Sequence, residues 1–147
     1  MPLREALILF GCLVVAVLLH EISHGVAAYA FGDDTAKRAG RLTLNPLPHI
    51  DPFGSLILPA MGALAGLPII GYAKPVPVDP RRMRNPRRDM LLVSLAGPGS
   101  NMLLMVLAAI TTKWLLNSGS GLAAAIDRSG DNLLVQIVFS FAVVNLL

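Results

Sequence analysis

Four apolar segments, separated by polar and proline-rich linkers, organise this chain. They cover residues 3–31, 53–72, 90–116 and 133–147. The first and the third are each longer than the ~20 apolar residues that a membrane-crossing helix needs. The fourth is still apolar at Leu147, where the sequence stops after about 15 residues of it, too few for a crossing. We therefore expect the chain to be a piece of a longer protein, truncated at its C-terminal end.

The second apolar segment is unusual because prolines and glycines interrupt it. It predicts either one kinked crossing or a re-entrant hairpin that enters the membrane and returns, shielded by protein. If the segment crosses, the Lys and Arg residues divide seven against five between the two sides of the membrane. If it re-enters, both linkers share one side, which then holds nine of the twelve. The positive-inside rule favours re-entry, with both linkers in the cytoplasm.

The two linkers predict extended backbone rather than helix. Residues 41–44 alternate between polar and apolar side chains, which indicates a short strand. Residues 72–78 contain two prolines and predict a companion edge strand, where proline is tolerated. The sequence therefore predicts an all-α polytopic membrane protein that forms one domain over residues 1–147. It has three to four transmembrane helices, a re-entrant segment and a small β-loop after the first helix.

The composition is that of a membrane protein. Hydrophobic residues make up 54% of the chain and charged residues 14%, against about 25% charged residues in soluble domains. The net charge of +3 requires no nucleic-acid partner, because most of the cations flank apolar segments and aromatic side chains are few. We expect a multi-pass protein of the cell membrane, with the lipid bilayer as a partner.

The N-terminal segment also has the outline of a secretory signal peptide. Arg4 precedes the apolar residues 6–19, and the small side chains at 28–30 resemble a cleavage site. However, the polar residues 20–24 interrupt the segment, and its apolar character then resumes. We therefore interpret residues 3–31 as a membrane-crossing helix.

The polar interruption carries the candidate chemistry, because it reads His20, Glu21, Ile22, Ser23, His24. Residues four apart on a helix share a face, so His20 and His24 can hold one zinc ion. Glu21 can then activate a bound water and pass its proton to the leaving amine. A glutamate at mid-membrane depth costs roughly 2.5–3.5 kcal/mol or more, so its presence predicts a function. The alternative is that these side chains form hydrogen bonds across a helix bundle.

A catalytic zinc site needs three protein ligands and an open position for water, and the motif supplies two. His49 and Asp51, in the first linker, are both competent to bind metal, and either one could serve as the third ligand if the linker folds back. A solvated loop position is the commoner state for both residue types.

Two further stretches make the pattern more specific. Residues His20 to Gly25 read His-Glu-Ile-Ser-His-Gly, Leu95 to Asn101 contain Ala-Gly-Pro-Gly-Ser-Asn, and Phe141 to Leu147 end in Asn-Leu-Leu. In these stretches the chain resembles the site-2 protease family of zinc intramembrane metalloproteases. They correspond to its metal-binding helix, its Ala-Gly-Pro-x-x-Asn motif and the opening of its last motif, Asn-Leu-x-Pro-x-x-Pro-Leu-Asp-Gly. Residues 45–55 and 71–78 are similar to a compact bacterial branch that lacks a PDZ domain.

The resemblance implies a zinc-dependent endopeptidase of the bacterial plasma membrane. Its reaction is hydrolysis of a peptide bond in or near a transmembrane segment of another membrane protein. The cofactor implied is Zn²⁺, with His20 and His24 as ligands and Glu21 as general base and then general acid. The family's third ligand is the Asp of Leu-Asp-Gly, which is expected after Leu147.

Two asparagines complete the site that the resemblance implies. Asn145 is expected to bind the substrate backbone or to help hold the oxyanion, and Asn101 to support the substrate or the transition state. For Asn101 the alternative is an interhelical hydrogen bond at a tight contact of small residues. Two other functions stay open: a non-catalytic protein of the same fold, and a transporter-like protein in which His-Glu-x-x-His is incidental.

Overall fold

The computed structural model of this chain describes residues 3–58, 61, 64–65 and 73–117. Over these residues the chain is mostly helical and has no β-strand, so the expected helical class is confirmed there. The elements in chain order are helix α1 (Leu3–Ala30), helix α2 (Thr35–Arg38), a 3-10 turn (Leu47–His49), a π-helical turn (Pro52–Ile57), a second 3-10 turn (Pro80–Arg82) and helix α3 (Pro86–Asn117).

Helix α1 coincides with the first apolar segment and ends in a Schellman turn. The N–H of Asp33 donates to the carbonyl of Ala28 at 2.9 Å, and the N–H of Gly32 donates to the carbonyl of Tyr29 at 3.1 Å. Gly32 has φ of 107°, a conformation that residues with a side chain rarely adopt. The turn buries Asp33 completely at the start of the first linker.

The first linker folds on itself instead of forming the predicted strand. Arg41 is buried, and its guanidinium donates to the carbonyl oxygen of Pro48. Its backbone N–H donates to the carbonyl of Ala36 at 2.9 Å, which closes helix α2. Residues 42–44 form bends. The β-loop is therefore not confirmed, because local hydrogen bonds take the place of a ladder.

The second linker runs from residue 73 to the start of α3 and has no regular structure before Pro80. Prolines at 75 and 77 hold their own φ near −65° and restrict the residues that precede them to extended backbone. The extended character predicted for 72–78 thus follows from the prolines. No strand partner exists for it among the described residues.

Helix α3 begins where the sequence predicts a good start. Pro86 occupies its first position, where a missing N–H costs nothing, and the carboxylate of Asp89 accepts the N–H of Asn85 at 2.8 Å. Pro98 lies inside the helix and cannot donate to the carbonyl of Ser94. The helix therefore lacks one backbone hydrogen bond just after Gly97.

The contacts divide the chain into two units. One combines Met1–Ala16 with Pro98–Leu147, and its described residues include a small buried cluster of Cys12 and Ala16. The other is Val17–Gly97, with a core of Ala28, Met83 and Val93. All of the paired residues described below for the candidate site belong to the unit Val17–Gly97.

Within the described part of the chain, two helical stretches are long and apolar enough to cross a membrane: Phe10–Ala30 in α1 and Pro86–Trp114 in α3. They coincide with the first and third apolar segments. Most of the second segment lies outside the described residues, so the choice between crossing and re-entry is not decided here. The fourth segment, 133–147, also lies outside them. The predicted count of three to four transmembrane helices therefore stays a prediction.

Candidate functional site

The two histidines of α1 lie side by side, with their Nε2 atoms 3.1 Å apart. Their ring centroids are 4.7 Å apart, and the ring planes meet at 80°. Two nitrogens that each bind one tetrahedral zinc ion at about 2.0–2.1 Å lie about 3.3 Å from each other. The observed separation therefore fits two ligands of a single ion, as the four-residue spacing predicts.

The backbone of α3 determines which nitrogen of His24 carries the proton. Nδ1 of His24 lies 2.6 Å from the carbonyl oxygen of Val93. A carbonyl oxygen only accepts, so Nδ1 carries the hydrogen and donates it. In the neutral ring Nε2 then has its lone pair free, and it faces Nε2 of His20. Metal-binding histidines are commonly oriented by such an outer hydrogen bond.

Gly97 of α3 keeps the space beside the two imidazoles open. A Cβ atom at this position would lie 2.5 Å from Nε2 of His20 and closer still to Nε2 of His24. Any side chain here would thus occupy the space next to both nitrogens. The two Nε2 atoms, the proton on Nδ1 of His24 and this open space together fit a zinc ion.

The described part of the chain supplies two of the three ligands that a catalytic zinc needs. No group of three or more His, Cys, Asp or Glu side chains that could hold a metal occurs among the described residues. Asp51 instead accepts the N–H groups of Phe53 and Gly54, at 3.0 and 2.8 Å, and caps the π-helical turn. His49 is buried away from the pair. The alternative in which either residue completes the site is therefore not supported.

Glu21 is half-buried and is held by the second linker. Its Oε2 accepts the backbone N–H of Val76 at 2.9 Å. The remaining polar side chain of the motif, Ser23, donates its hydroxyl to the carbonyl of Leu19 at 2.7 Å within the same helix. Ser23 is thus satisfied within α1, whereas the carboxylate of Glu21 is attached to the second linker.

A second carboxylate, Asp33, attaches the same linker to the end of α1. Its Oδ2 accepts the N–H of Asp79 at 2.7 Å, and its Oδ1 accepts both the N–H and the hydroxyl of Thr35. Burial alone would raise the pKa of Asp33, but these hydrogen bonds and the charge of Arg82 lower it below the ordinary value. Asp33 is therefore an ionised, buried anchor for the linker.

Asn101 and Asn145 are the two further residues that the resemblance assigns to the site. Asn101 belongs to the other unit, and its Oδ1 is buried without a hydrogen-bond partner among the described residues. Asn145 lies outside the described residues. The roles assigned to both residues stay predictions.

Sequence reasoning missed three groups at the site: the N–H of Val76, the carbonyl of Val93 and the open space at Gly97. The first two are backbone groups, which every residue carries, so no side-chain pattern announces them. Gly97 did carry a signal, because it lies in the Ala-Gly-Pro motif. Small residues in an apolar helix, however, equally predict close helix packing.

Comparison with known proteins gives bacterial relatives, of which three are described here. "Putative zinc metalloprotease YwhC" of Bacillus subtilis is 48% identical over 92 residues, which cover 63% of this chain and 39% of that protein. "Putative zinc metalloprotease Rip2" of Mycolicibacterium smegmatis is 40% identical over 95 residues, 64% of this chain and 35% of that protein. The Rip2 protein of Mycobacterium tuberculosis is 39% identical over 105 residues, 71% of this chain and 39% of that protein.

The matched region thus spans less than two fifths of the length of these relatives. No family model matches the chain, and no solved structure matches it. The relatives nevertheless confirm the resemblance at the level of their names: over about two thirds of its length, this chain is homologous to bacterial proteins named zinc metalloproteases.

Proposed function

We propose that this chain is the core of a zinc-dependent endopeptidase that hydrolyses a peptide bond in or near a transmembrane segment of a membrane protein. The observation that carries the proposal is the pair of Nε2 atoms of His20 and His24, 3.1 Å apart beside the open space at Gly97. This pair lies on a helix long and apolar enough to cross a membrane. The names of the relatives support the metal and the protease class.

In this proposal His20 and His24 hold zinc through Nε2, and Val93 keeps the proton of His24 on Nδ1. A zinc ion bound there would lower the pKa of a water molecule toward ~7 and would polarise the peptide carbonyl. The Glu21 carboxylate accepts one proton from the attacking water as the C–O bond forms. It then gives that proton to the amine nitrogen as the C–N bond breaks. One water is consumed, and the products are a new carboxyl terminus and a new amine terminus.

The substrate must be unwound locally, because a peptide bond inside a helix is protected by its own hydrogen bonds. Groups that replace those hydrogen bonds would favour the extended form. An asparagine amide can do so, since it both donates and accepts. We propose this role for Asn101, whose Oδ1 is buried without a partner in the described part of the chain, and for Asn145.

A membrane setting accounts for the apolar surface of the long helices. Large apolar side chains are exposed along α1 and α3: Phe10, Leu13, Val15, Val26, Leu91, Leu95, Met102, Leu103, Val106, Ile110 and Trp114. Such a surface is unusual for a soluble protein and normal against lipid. Exposed arginines precede and begin α3: Arg81, Arg84, Arg87 and Arg88. We place this end of α3 at the cytoplasmic face of a bacterial plasma membrane, in a multi-pass protein.

The test compares zinc content with proteolysis. The probe is a reporter with one apolar, glycine-interrupted membrane segment between two soluble domains, mixed with the purified full-length protein in detergent micelles. We expect about one zinc per chain and cleavage within the apolar segment. Glu21→Gln should keep the zinc and lower the cleavage rate about 10²- to 10⁴-fold.

The matched control is Glu5→Gln, the same change at the other glutamate of α1, which should leave both readouts unaltered. Zinc-free wild-type protein, or equal cleavage by Glu21→Gln and wild type, would contradict the proposal.

A further inference from the structure

We infer that the backbone amide of Val76 is a positioning group that holds the Glu21 carboxylate in its working orientation, and that Gly25 provides the space for it. The inference rests on the proposed function, since the orientation of Glu21 matters to a reaction only if Glu21 moves a proton. It concerns the second linker, to which the zinc motif and the resemblance assign no catalytic part.

The donor is directed by the proline pattern around it. In Lys74-Pro75-Val76-Pro77 the prolines have no N–H, so the stretch has two amide donors. Residues two apart in an extended chain face the same way. The N–H of Lys74 donates to the carbonyl of His49 at 2.8 Å, and the N–H of Val76 donates to Glu21 at 2.9 Å. Both donors therefore face the same side of the linker and are used there.

The linker is attached on both sides of Val76. Before it, the bond from Lys74 to His49 ties the linker to the 3-10 turn; after it, the N–H of Asp79 donates to the buried carboxylate of Asp33 at 2.7 Å. Because the two attachments are five residues apart in a proline-stiffened stretch, they leave little freedom to the amide between them. The donor is thus in place before any substrate arrives.

Gly25 lies one helical turn after Glu21, on the same face of α1. A Cβ atom at Gly25 would lie 3.0 Å from Cγ1 of Val76 and 2.6 Å from Cδ2 of Leu42. Because Gly25 has no side chain, the buried side chain of Val76 sits against the helix at this point. Its N–H then reaches the carboxylate one turn earlier. A general base misplaced by about 1 Å can lose about 100-fold in rate, so this contact matters to the reaction.

The first test removes the donor. Val76→Pro deletes the N–H in a segment that is already proline-rich, and we expect kcat to fall about 30- to 100-fold with KM unchanged. The matched comparison is Lys74→Pro, which deletes the neighbouring N–H; because it removes one of the two attachments of the linker but leaves the donor to Glu21 in place, we expect a smaller loss of kcat, about threefold. Val76→Ala keeps the N–H and should recover most of the kcat that Val76→Pro loses. Zinc content should be unchanged in all three.

Gly25→Ala serves as a second variant in case Val76→Pro does not fold. The added methyl group must displace Val76 or Leu42, and we expect about a tenfold loss of kcat at unchanged zinc content. The double variant Gly25→Ala/Val76→Ala removes the Cγ atoms of Val76 and should restore part of the lost kcat. Full kcat in zinc-loaded Gly25→Ala, or equal losses in Val76→Pro and Lys74→Pro, would overturn the inference.

An independent measurement needs no proteolysis. In wild-type protein the amide of Val76 should exchange its hydrogen slowly, and in Glu21→Ala at least about tenfold faster, while the amide of Lys74 is unaffected. Unchanged exchange at Val76 would overturn the contact itself. Faster exchange in Glu21→Ala, combined with no cleavage by zinc-loaded wild type, would instead overturn the proposed function and leave the contact in place.

Discussion

Nδ1 of His24 and the carbonyl oxygen of Val93 lie 2.6 Å apart and join α1 to α3 at the level of the zinc motif. Because the acceptor is a backbone atom, this contact depends on the relative placement of the helices and not on the identity of residue 93. It leaves Nε2 of His24 facing Nε2 of His20 at 3.1 Å. The contact therefore prepares the second ligand before a metal binds.

Removing either ligand should remove the metal. We expect His20→Ala and His24→Ala each to lower zinc affinity at least about 100-fold, because two ligands from one helix form a chelate that a single imidazole cannot replace. Zinc per chain, measured by elemental analysis after dialysis, checks this. His49→Leu changes the third histidine of the chain and should retain the full zinc content. Zinc lost in His49→Leu as well would place a ligand in the first linker.

Occupying the open space at Gly97 should also lower zinc affinity, although neither histidine is changed. In Gly97→Ala the new methyl group would lie 2.5 Å from Nε2 of His20, so an imidazole must turn away. We expect zinc affinity to fall about 10- to 100-fold, in the range seen when groups that orient metal ligands are lost. Gly99→Ala is the matched control two residues later in α3, where a Cβ meets nothing within 4 Å. Equal zinc affinities in the two variants would show that zinc binding does not need the open space at Gly97.

The buried carboxylate of Asp33 should make the stability of the protein depend on pH. The pKa of Asp33 is lower in the folded than in the unfolded chain. The stability that its ionised form gives the fold is therefore fully present above the ordinary pKa of an aspartate, about 4. It is lost progressively as the pH falls below that value toward the folded pKa. Thermal unfolding of wild type and Asp33→Asn between pH 2 and pH 7, read as the difference between the two, measures this contribution.

At neutral pH we expect Asp33→Asn to lower the free energy of unfolding by about 1–3 kcal/mol, because buried donors of Thr35 and Asp79 lose a charged acceptor. Asp34→Asn is the control: this neighbouring carboxylate lies nearer the surface and pairs with Arg38 and Arg82 at 2.6 Å. It should change stability little. A larger loss in Asp34→Asn than in Asp33→Asn would be incompatible with the anchor role of Asp33.

His49 should be replaceable by an apolar side chain. Its ring is 4% exposed, and neither nitrogen has a hydrogen-bond partner among the described residues. Burying an imidazole without hydrogen bonds costs desolvation free energy that no interaction offsets. His49→Leu should therefore be neutral or should stabilise the fold by about 1 kcal/mol. Thermal unfolding in detergent checks the direction. A clear destabilisation would show that the ring has a polar partner.

The helical part of this fold was predictable because its causes are local. The long apolar run of α1, and the apolar run of α3 behind Pro86, determine where these helices lie irrespective of what they contact. The strand predicted for 41–44 is not confirmed, and the reason is the opposite one. The alternation there was real, but the buried guanidinium of Arg41 bonds the carbonyl of Pro48 and the loop closes on itself. That choice depends on packing, which alternation does not encode.

The sequence by itself determined the chemistry that is possible: two imidazoles four residues apart on a helix, with a carboxylate beside the first. Helix geometry alone guarantees that His20 and His24 share a face. Only the tertiary structure decided that Val93 holds the proton on Nδ1, that Gly97 leaves the nitrogens open and that Val76 holds Glu21. Two of these three are backbone groups and the third is the absence of a side chain. No residue type marks the two backbone groups, and a glycine in an apolar helix equally predicts close helix packing, so all three become parts of a site only once distant segments have packed together.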